Sequence, residues 1–178
     1  MKYTLRSLVK TTPKSGYDIT YVSLLAVSWL KWHACFLLAY VFVPLGVTLL
    51  NLSHIYHWPD GEPYDIKKAY LDLCAILTVF FEQQGVKVDV HATPYSYCDG
   101  EYNLNIGGKK VVGTAQRVLL KKGGGQVVLS QACILIDADV EKIVAPVKLC
   151  NQLCGYNDDI RGDVHTPLFN HISDRPSI

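Results

Sequence analysis

Gly107-Gly108-Lys109-Lys110-Val111-Val112-Gly113-Thr114-Ala115-Gln116-Arg117 is the stretch whose reading settles the architecture. Two adjacent glycines ahead of β-branched residues spell a tight hairpin turn, because such turns need backbone angles that only glycine adopts without a Cβ penalty. A strand must follow. In a strand successive side chains alternate faces, so Lys109 and Lys110 point in opposite directions and only one of them can meet a pocket on a given side. Gly113, with no side chain, permits close approach by a ligand or another backbone.

Working outward from the hairpin, residues 91–102 are rich in proline, glycine and small polar residues, and read as a loop leading into the preceding strand. Ahead of that loop, Val86, Val88 and Val90 alternate with Lys87 and Asp89, the pattern of a strand with one buried face. A helix precedes it. Asp65 can cap that helix, Ile66, Ala69, Tyr70, Leu73, Leu77, Phe80 and Phe81 recur at three- and four-residue steps, and Gly85 ends it. On the other side, Lys121-Lys122-Gly123-Gly124-Gly125 makes a basic turn, and Val127–Ile136 returns as a strand. Asp139 caps a last helix to about Leu153, with Pro146 inside it and Gly155 as its stop. Residues 156–178 are polar and contain proline, and are expected to form a loosely held tail.

The N-terminal part is less patterned. Residues 1–18 read as a lead-in or edge strand, and no charge interrupts Ala34–Leu50. That run falls short of the ~20 residues of a membrane helix and contains Pro44 and Gly46, so a buried strand-turn-strand is favoured over a membrane span. Residues 54–64, with Pro59-Asp60-Gly61, read as a loop.

Helices mixed with neighbouring strands, without regular strand-helix alternation, predict an α+β fold with a largely antiparallel sheet flanked by helices, in one domain spanning 1–178. With 17 basic and 16 acidic residues the formal net charge is +1, which offers no field to recruit nucleic acid. The six cysteines follow no secretory leader, and reduced thiols in a cytoplasmic protein are expected. His54-x-x-His57 and Cys150-x-x-x-Cys154 each supply two potential ligands with no spacing joining them, so no metal site is expected. Spacing alone leaves Lys110 either a solvated strand lysine or a cation set to meet an anion.

Residues 98–139, from Cys98-Asp99-Gly100-Glu101 through the hairpin to Ile134-Leu135-Ile136-Asp137-Ala138-Asp139, resemble the lipoate-protein ligase A family. This family shares its catalytic domain with biotin protein ligases and octanoyltransferases. Its pattern of glycine, basic residue, lysine, aliphatic residues and Gly-Ser/Thr-Ala is met by Gly108-Lys109-Lys110-Val111-Val112-Gly113-Thr114-Ala115, and Gly46 with Asn51-Leu52-Ser53 resembles an earlier Gly-x-x-Asn-x-Ser segment. The resemblance implies attachment of lipoate or octanoate to a lysine of a carrier domain, either of a 2-oxoacid dehydrogenase or of the glycine cleavage H protein. In the ligases this proceeds through an acyl-adenylate made from ATP and Mg²⁺. It further implies that Lys110 meets the acyl carbonyl and the phosphate, that Gly113 and Thr114 line the same site, and that Asn103, Asn51 and Ser53 contribute to binding. Some octanoyltransferases of the superfamily carry a nucleophilic cysteine on the corresponding loop, which implies a second route through Cys98, its thiol acidified by Lys110. Residues 32–41 lack the arginines and glycines of the ligases' Arg-Arg-x-Ser-Gly-Gly-Gly loop, as in a shortened family member, and a non-catalytic relative that binds acyl groups or a protein partner is the remaining alternative.

Overall fold

The computed structural model describes residues 49–156, 158–173 and 175. They form an α+β fold: one antiparallel sheet of five strands with a helix on each face. The strands are β1 (Leu49–His57), β2 (Asp89–Val90), β3 (Leu104–Ile106), β4 (Lys109–Leu120) and β5 (Gln126–Leu135), in the order β1-β5-β4-β3-β2. The helices are α1 (Ile66–Gln83) and α2 (Val140–Leu153). The readings of residues 1–18 and of most of the apolar run before Leu50 lie outside the described residues. No helix among the described residues is long and apolar enough to cross a membrane.

The Gly107-Gly108 turn forms as its sequence dictates: both glycines have positive φ, 55° and 78°, and Ile106 pairs with Lys109 across a two-residue loop. The three glycines of the second hairpin also adopt positive φ, and Lys121 N–H closes the turn on the Gly125 carbonyl at 3.0 Å. β5 is an interior strand, bonded to β1 on one side and to β4 on the other.

α1 forms where its apolar spacing places it. The Asp65 carboxylate accepts from Lys68 N–H at 3.0 Å, satisfying one of the orphan donors of the first turn. At the other end Gly85 turns left-handed at φ 75°, and Val86 N–H reaches back to the Phe81 carbonyl at 3.0 Å. The helix buries Leu73, Leu77, Phe80 and Phe81 against Leu104, Val111, Val112, Ala132 and Ile134 of the sheet. Fully burying such a side chain contributes roughly 1.5–3 kcal/mol, so this layer is the main apolar reserve of the fold. Ile66, assigned to the core stripe from its spacing, is exposed: its carbonyl meets the sheet, accepting from the Gln116 amide at 2.8 Å, while its side chain faces solvent. α2, capped by Asp139 accepting from Lys142 N–H, covers the other face with Ile143, Val144 and Val147 against Leu135, Tyr97 and Ile160.

Three expectations change. β1 continues to His57 instead of yielding to a loop at residue 54, because His54, Ile55 and Tyr56 all find partners in β5. The strand expected over Val86–Val90 shrinks to Asp89–Val90: Val86 and Val88 are buried as the chain leaves α1, while Val90 is exposed. Residues 158–173 are not a loose tail. His165 to Phe169 are buried, and Phe169 N–H bonds the Ile136 carbonyl at 2.9 Å. Where the pairing of β5 with β4 ends at Val112, this segment takes over: Lys110 N–H donates to Val164 at 2.8 Å and Thr166 N–H donates to the Lys110 carbonyl at 2.9 Å, a parallel bridge.

Candidate functional site

The two faces of the sheet are set by a bulge in β4. Leu104 pairs with Val112 and Asn105 with Lys110, which leaves Val111 unpaired between them. Val111 and Val112 therefore both enter the α1 core, and the alternation of faces is reset. Lys110 and Gly113, three residues apart, come to lie on the same α2-side face; Thr114 lands on the opposite one. The hydroxyl of Thr114 donates to the Tyr102 carbonyl at 2.7 Å on the α1 side. The expectation that Gly113 and Thr114 share a site is corrected on this ground: an even step in sequence from Lys110 no longer means the same face.

On the α2 side the Lys110 side chain is 1% exposed. Its Nζ donates to the carbonyls of Tyr97 and Cys98, each at 2.6 Å, and lies 4.5 Å from the centre of the Tyr97 ring. Gly113 makes this possible. A Cβ there would stand 3.1 Å from Lys110 Cε and 3.4 Å from Nζ, so the close approach that the glycine permits is that of the lysine itself. No carboxylate of the described residues forms an ion pair with Lys110, and burial lowers its pKa from 10.5 to about 8. The neighbouring Cys98, Cys133 and Asp99 oppose that drop. Lys109 points the other way and is exposed.

The loop carrying Cys98 is braced from below. Asn105, fully buried, donates to the carbonyls of His91 at 3.0 Å and Asn103 at 3.2 Å and accepts from the Thr93 hydroxyl at 2.6 Å. Asn103 is buried too, and its amide donates to the Cys98 carbonyl at 3.2 Å. That bond makes Asn103 a support of the loop. Tyr95 and Cys98 sit at φ 66° and 53°, a left-handed backbone that costs a non-glycine residue about 1–2 kcal/mol. The Cys98 carbonyl is thereby held by two donors, Lys110 and Asn103.

Cys98 is half-buried, and its thiol departs from expectation in one respect. Burial pushes its pKa up, Asp99 adds to the rise, and Lys110 only partly offsets them. The lysine acts in the expected direction, but the low-polarity setting outweighs it. Cys133, opposite Gly113 in the register and buried, is pushed by burial up to about 11.

Asn51 and Ser53 lie on the Lys110 face, because Asn51 pairs with Cys133 and Ser53 with Gln131. Both are exposed, and the Gln131 amide donates to the Ser53 hydroxyl at 3.3 Å. They mark an open strip of sheet that leads from the buried lysine towards the exposed Ile55. His54 and His57 fall on opposite faces of β1, since they are three residues apart in a regular strand. Among the described residues no group of three or more metal-ligating side chains comes together.

Two contributors were not legible from sequence. Tyr97 supplies a ring and a carbonyl to the lysine, and His165 stacks on that ring with centroids 4.8 Å apart and planes 9° from parallel. His165 is 4% exposed; burial first and the charge of Lys110 second lower its pKa to about 4. It is neutral at physiological pH. Its Nδ1 donates to the Gly162 carbonyl at 3.3 Å, while its buried Nε2 has no partner among the described residues, a cost of about 1–3 kcal/mol. Neither residue belongs to a motif; the only trace was the apolar Pro167-Leu168-Phe169 run, which marks a segment that must be covered.

Comparison with known proteins adds to this geometry. No family model matches the chain. It is 34% identical over 116 residues to an uncharacterised protein of Cupriavidus necator, covering 58% of this chain and 45% of that protein. It is 31% identical over 94 residues to the octanoyl-[GcvH]:protein N-octanoyltransferase of Staphylococcus aureus, covering 51% of this chain and 32% of the enzyme. The enzyme of the same name from Geobacillus kaustophilus is 32% identical over 93 residues, 52% of this chain and 31% of its own length. About half of the chain is thus related in sequence to octanoyltransferases. The matched stretch spans less than half of each of these relatives.

Proposed function

We propose that this chain carries an acyl-transfer site in which Cys98 accepts an octanoyl or lipoyl group as a thioester and delivers it to a lysine of a carrier domain. The observation that carries the reading is the double contact of Lys110 Nζ with the carbonyls of Tyr97 and Cys98. A buried ammonium held by neutral carbonyls, with no carboxylate of the described residues paired to it, is a fixed positive charge beside Cys98. The relatedness to octanoyltransferases supports the same reading.

The chemistry follows from these groups. Cys98 loses its proton, a step that burial opposes and Lys110 favours. The thiolate attacks the donor's acyl carbon, a carbon–sulfur bond forms, and the donor's leaving amine departs with a proton. The neutral amine of the acceptor lysine then attacks the thioester, an amide forms as the carbon–sulfur bond breaks, and the proton the amine loses returns to the departing sulfur. Negative charge develops on the acyl oxygen in both steps, and a preorganised ammonium lowers the energy of that charge. The carrier is of the kind named for the relatives, the glycine cleavage H protein, with the 2-oxoacid dehydrogenase carrier domains as acceptors.

The test is octanoyl transfer from an octanoylated H protein to an apo carrier domain without nucleotide. The chain is expected to transfer without ATP, Cys98→Ala to abolish transfer, and Lys110→Met to lower it by about 10²–10³. Transfer only from free octanoate with ATP and Mg²⁺, unaffected by Cys98→Ala, overturns this mechanism in favour of an acyl-adenylate. Absence of acylation from any donor leaves an acyl-binding or partner-binding relative.

A further inference from the structure

The segment Gly162–Thr166 reaches the site by backbone and side chain together. Its backbone brackets Lys110, through Val164 and Thr166, and its one aromatic side chain, His165, lies flat on Tyr97. Tyr97 in turn is the residue whose ring and carbonyl both contact the lysine ammonium. Lys110 and His165 thus converge on one aromatic ring, at the residue immediately before Cys98. We propose that His165 is a positioning residue for the Cys98–Lys110 pair, its imidazole holding the Tyr97–Cys98 backbone against the lysine ammonium.

The physical case rests on what the imidazole does that a generic core side chain would not. Its Nδ1–H bond to the Gly162 carbonyl fixes the ring plane, and the parallel stack transmits that plane to Tyr97. Only glycine fits at this acceptor position, since the Glu141 carboxylate lies where a Cβ would stand. The ring stays uncharged, as burial and Lys110 both require, so it packs beside an ammonium without repulsion. With Tyr97 fixed, the next carbonyl, that of Cys98, is delivered to Nζ at 2.6 Å in spite of the left-handed backbone there. The other groups acting on this pair are Asp99 from the loop, Cys133 from β5 and Tyr97 itself. The inference rests on the reading of Cys98 as the acyl acceptor, but its test does not use acyl transfer.

The readout is the rate at which Cys98 is alkylated by iodoacetamide at pH 7, where Lys110 keeps its proton, followed on the peptide containing it. His165→Leu fills the space without a planar ring, and is expected to react about tenfold more slowly than the native chain. His165→Phe keeps a flat ring on Tyr97 but loses the Nδ1–H bond, and is expected to react at a rate between the two. In a Lys110→Met background, His165→Leu is expected to change nothing further, because it acts through the lysine. A native rate in folded His165→Leu, or an equal slowing with and without Lys110, overturns the proposal. Should His165→Leu fail to fold, a native rate in His165→Phe overturns it and a slowing that requires Lys110 supports it. Absence of octanoyl transfer by the native chain together with the expected rates would remove the acyl-transfer reading and leave the positioning of Cys98 by His165 standing.

Discussion

Lys110→Met offers a stability test of the buried ammonium that is independent of any substrate. Methionine matches much of the lysine's length without its charge, so the site keeps its packing and loses its cation. In the folded chain burial lowers the lysine pKa from 10.5 to about 8, which at about 1.4 kcal/mol per unit makes the charged form about 3 kcal/mol costlier than in the unfolded chain. Against this relief, the substitution takes the lysine donor from the Tyr97 carbonyl, at about 1–3 kcal/mol, while the Cys98 carbonyl keeps the Asn103 amide. The two effects nearly cancel at neutral pH, so the level of stability there is a poor discriminator. The pH dependence is a good one. Between pH 8 and 10.5 the unfolded lysine keeps its proton while the native one loses it; the unfolded state binds more protons, and stability rises with pH. The buried thiols Cys74 and Cys133, both pushed up to about 11, act with the opposite sign over pH 9–11, as they are protonated longer in the native state. They are present in both proteins, so the difference reports the lysine together with its pull on the Cys98 and Cys133 thiols, whose pKa values its charge lowers. Urea unfolding at a series of pH values from 7 to 9.5 is expected to show the native chain gaining about 2 kcal/mol on Lys110→Met. A difference that stays flat over this range would refute the burial of a charged Lys110.

Other substitutions test the geometry around it. Gly113→Ala puts a methyl 3.1 Å from Lys110 Cε, and with the ammonium clamped by two carbonyls it is expected to cost about 1–3 kcal/mol in urea unfolding. Thr114→Val removes the hydroxyl bond to Tyr102 on the far face of the sheet, and is expected to lower stability by about 1 kcal/mol while leaving the octanoyl transfer rate unchanged. Asp139→Ala deletes the N-cap of α2, and a thermal melt should register about 1 kcal/mol of destabilisation without a change in Cys98 alkylation.

What could be read from sequence was what depends on neighbours in the chain. The Gly107-Gly108 turn, the opposed lysines, the Asp65 and Asp139 caps and the stripe of α1 all follow from local conformational preference and a fixed period. The bulge at Val111 was hidden, because a bulge is set by the partner strand, and it reverses the face of everything beyond it, Thr114 included. The role of residues 158–173 was hidden for a related reason: Val164 and Thr166 gain their meaning from hydrogen bonds to Lys110, more than fifty positions earlier, His165 from its stack on Tyr97, and none of them carries a periodicity of its own. The resemblance over residues 98–139 singled out Lys110 and Cys98, and the structure brings them together through the Cys98 carbonyl. It gave no sign that burial would raise the thiol's pKa more than the lysine lowers it.

The most direct measurement of the central claim is the mass of the Cys98 peptide after the chain is incubated with octanoylated H protein in the absence of nucleotide. The account predicts one octanoyl group on that peptide, released by hydroxylamine as a thioester and absent from Cys98→Ala. An unmodified Cys98 peptide in a chain that still octanoylates its carrier would contradict it.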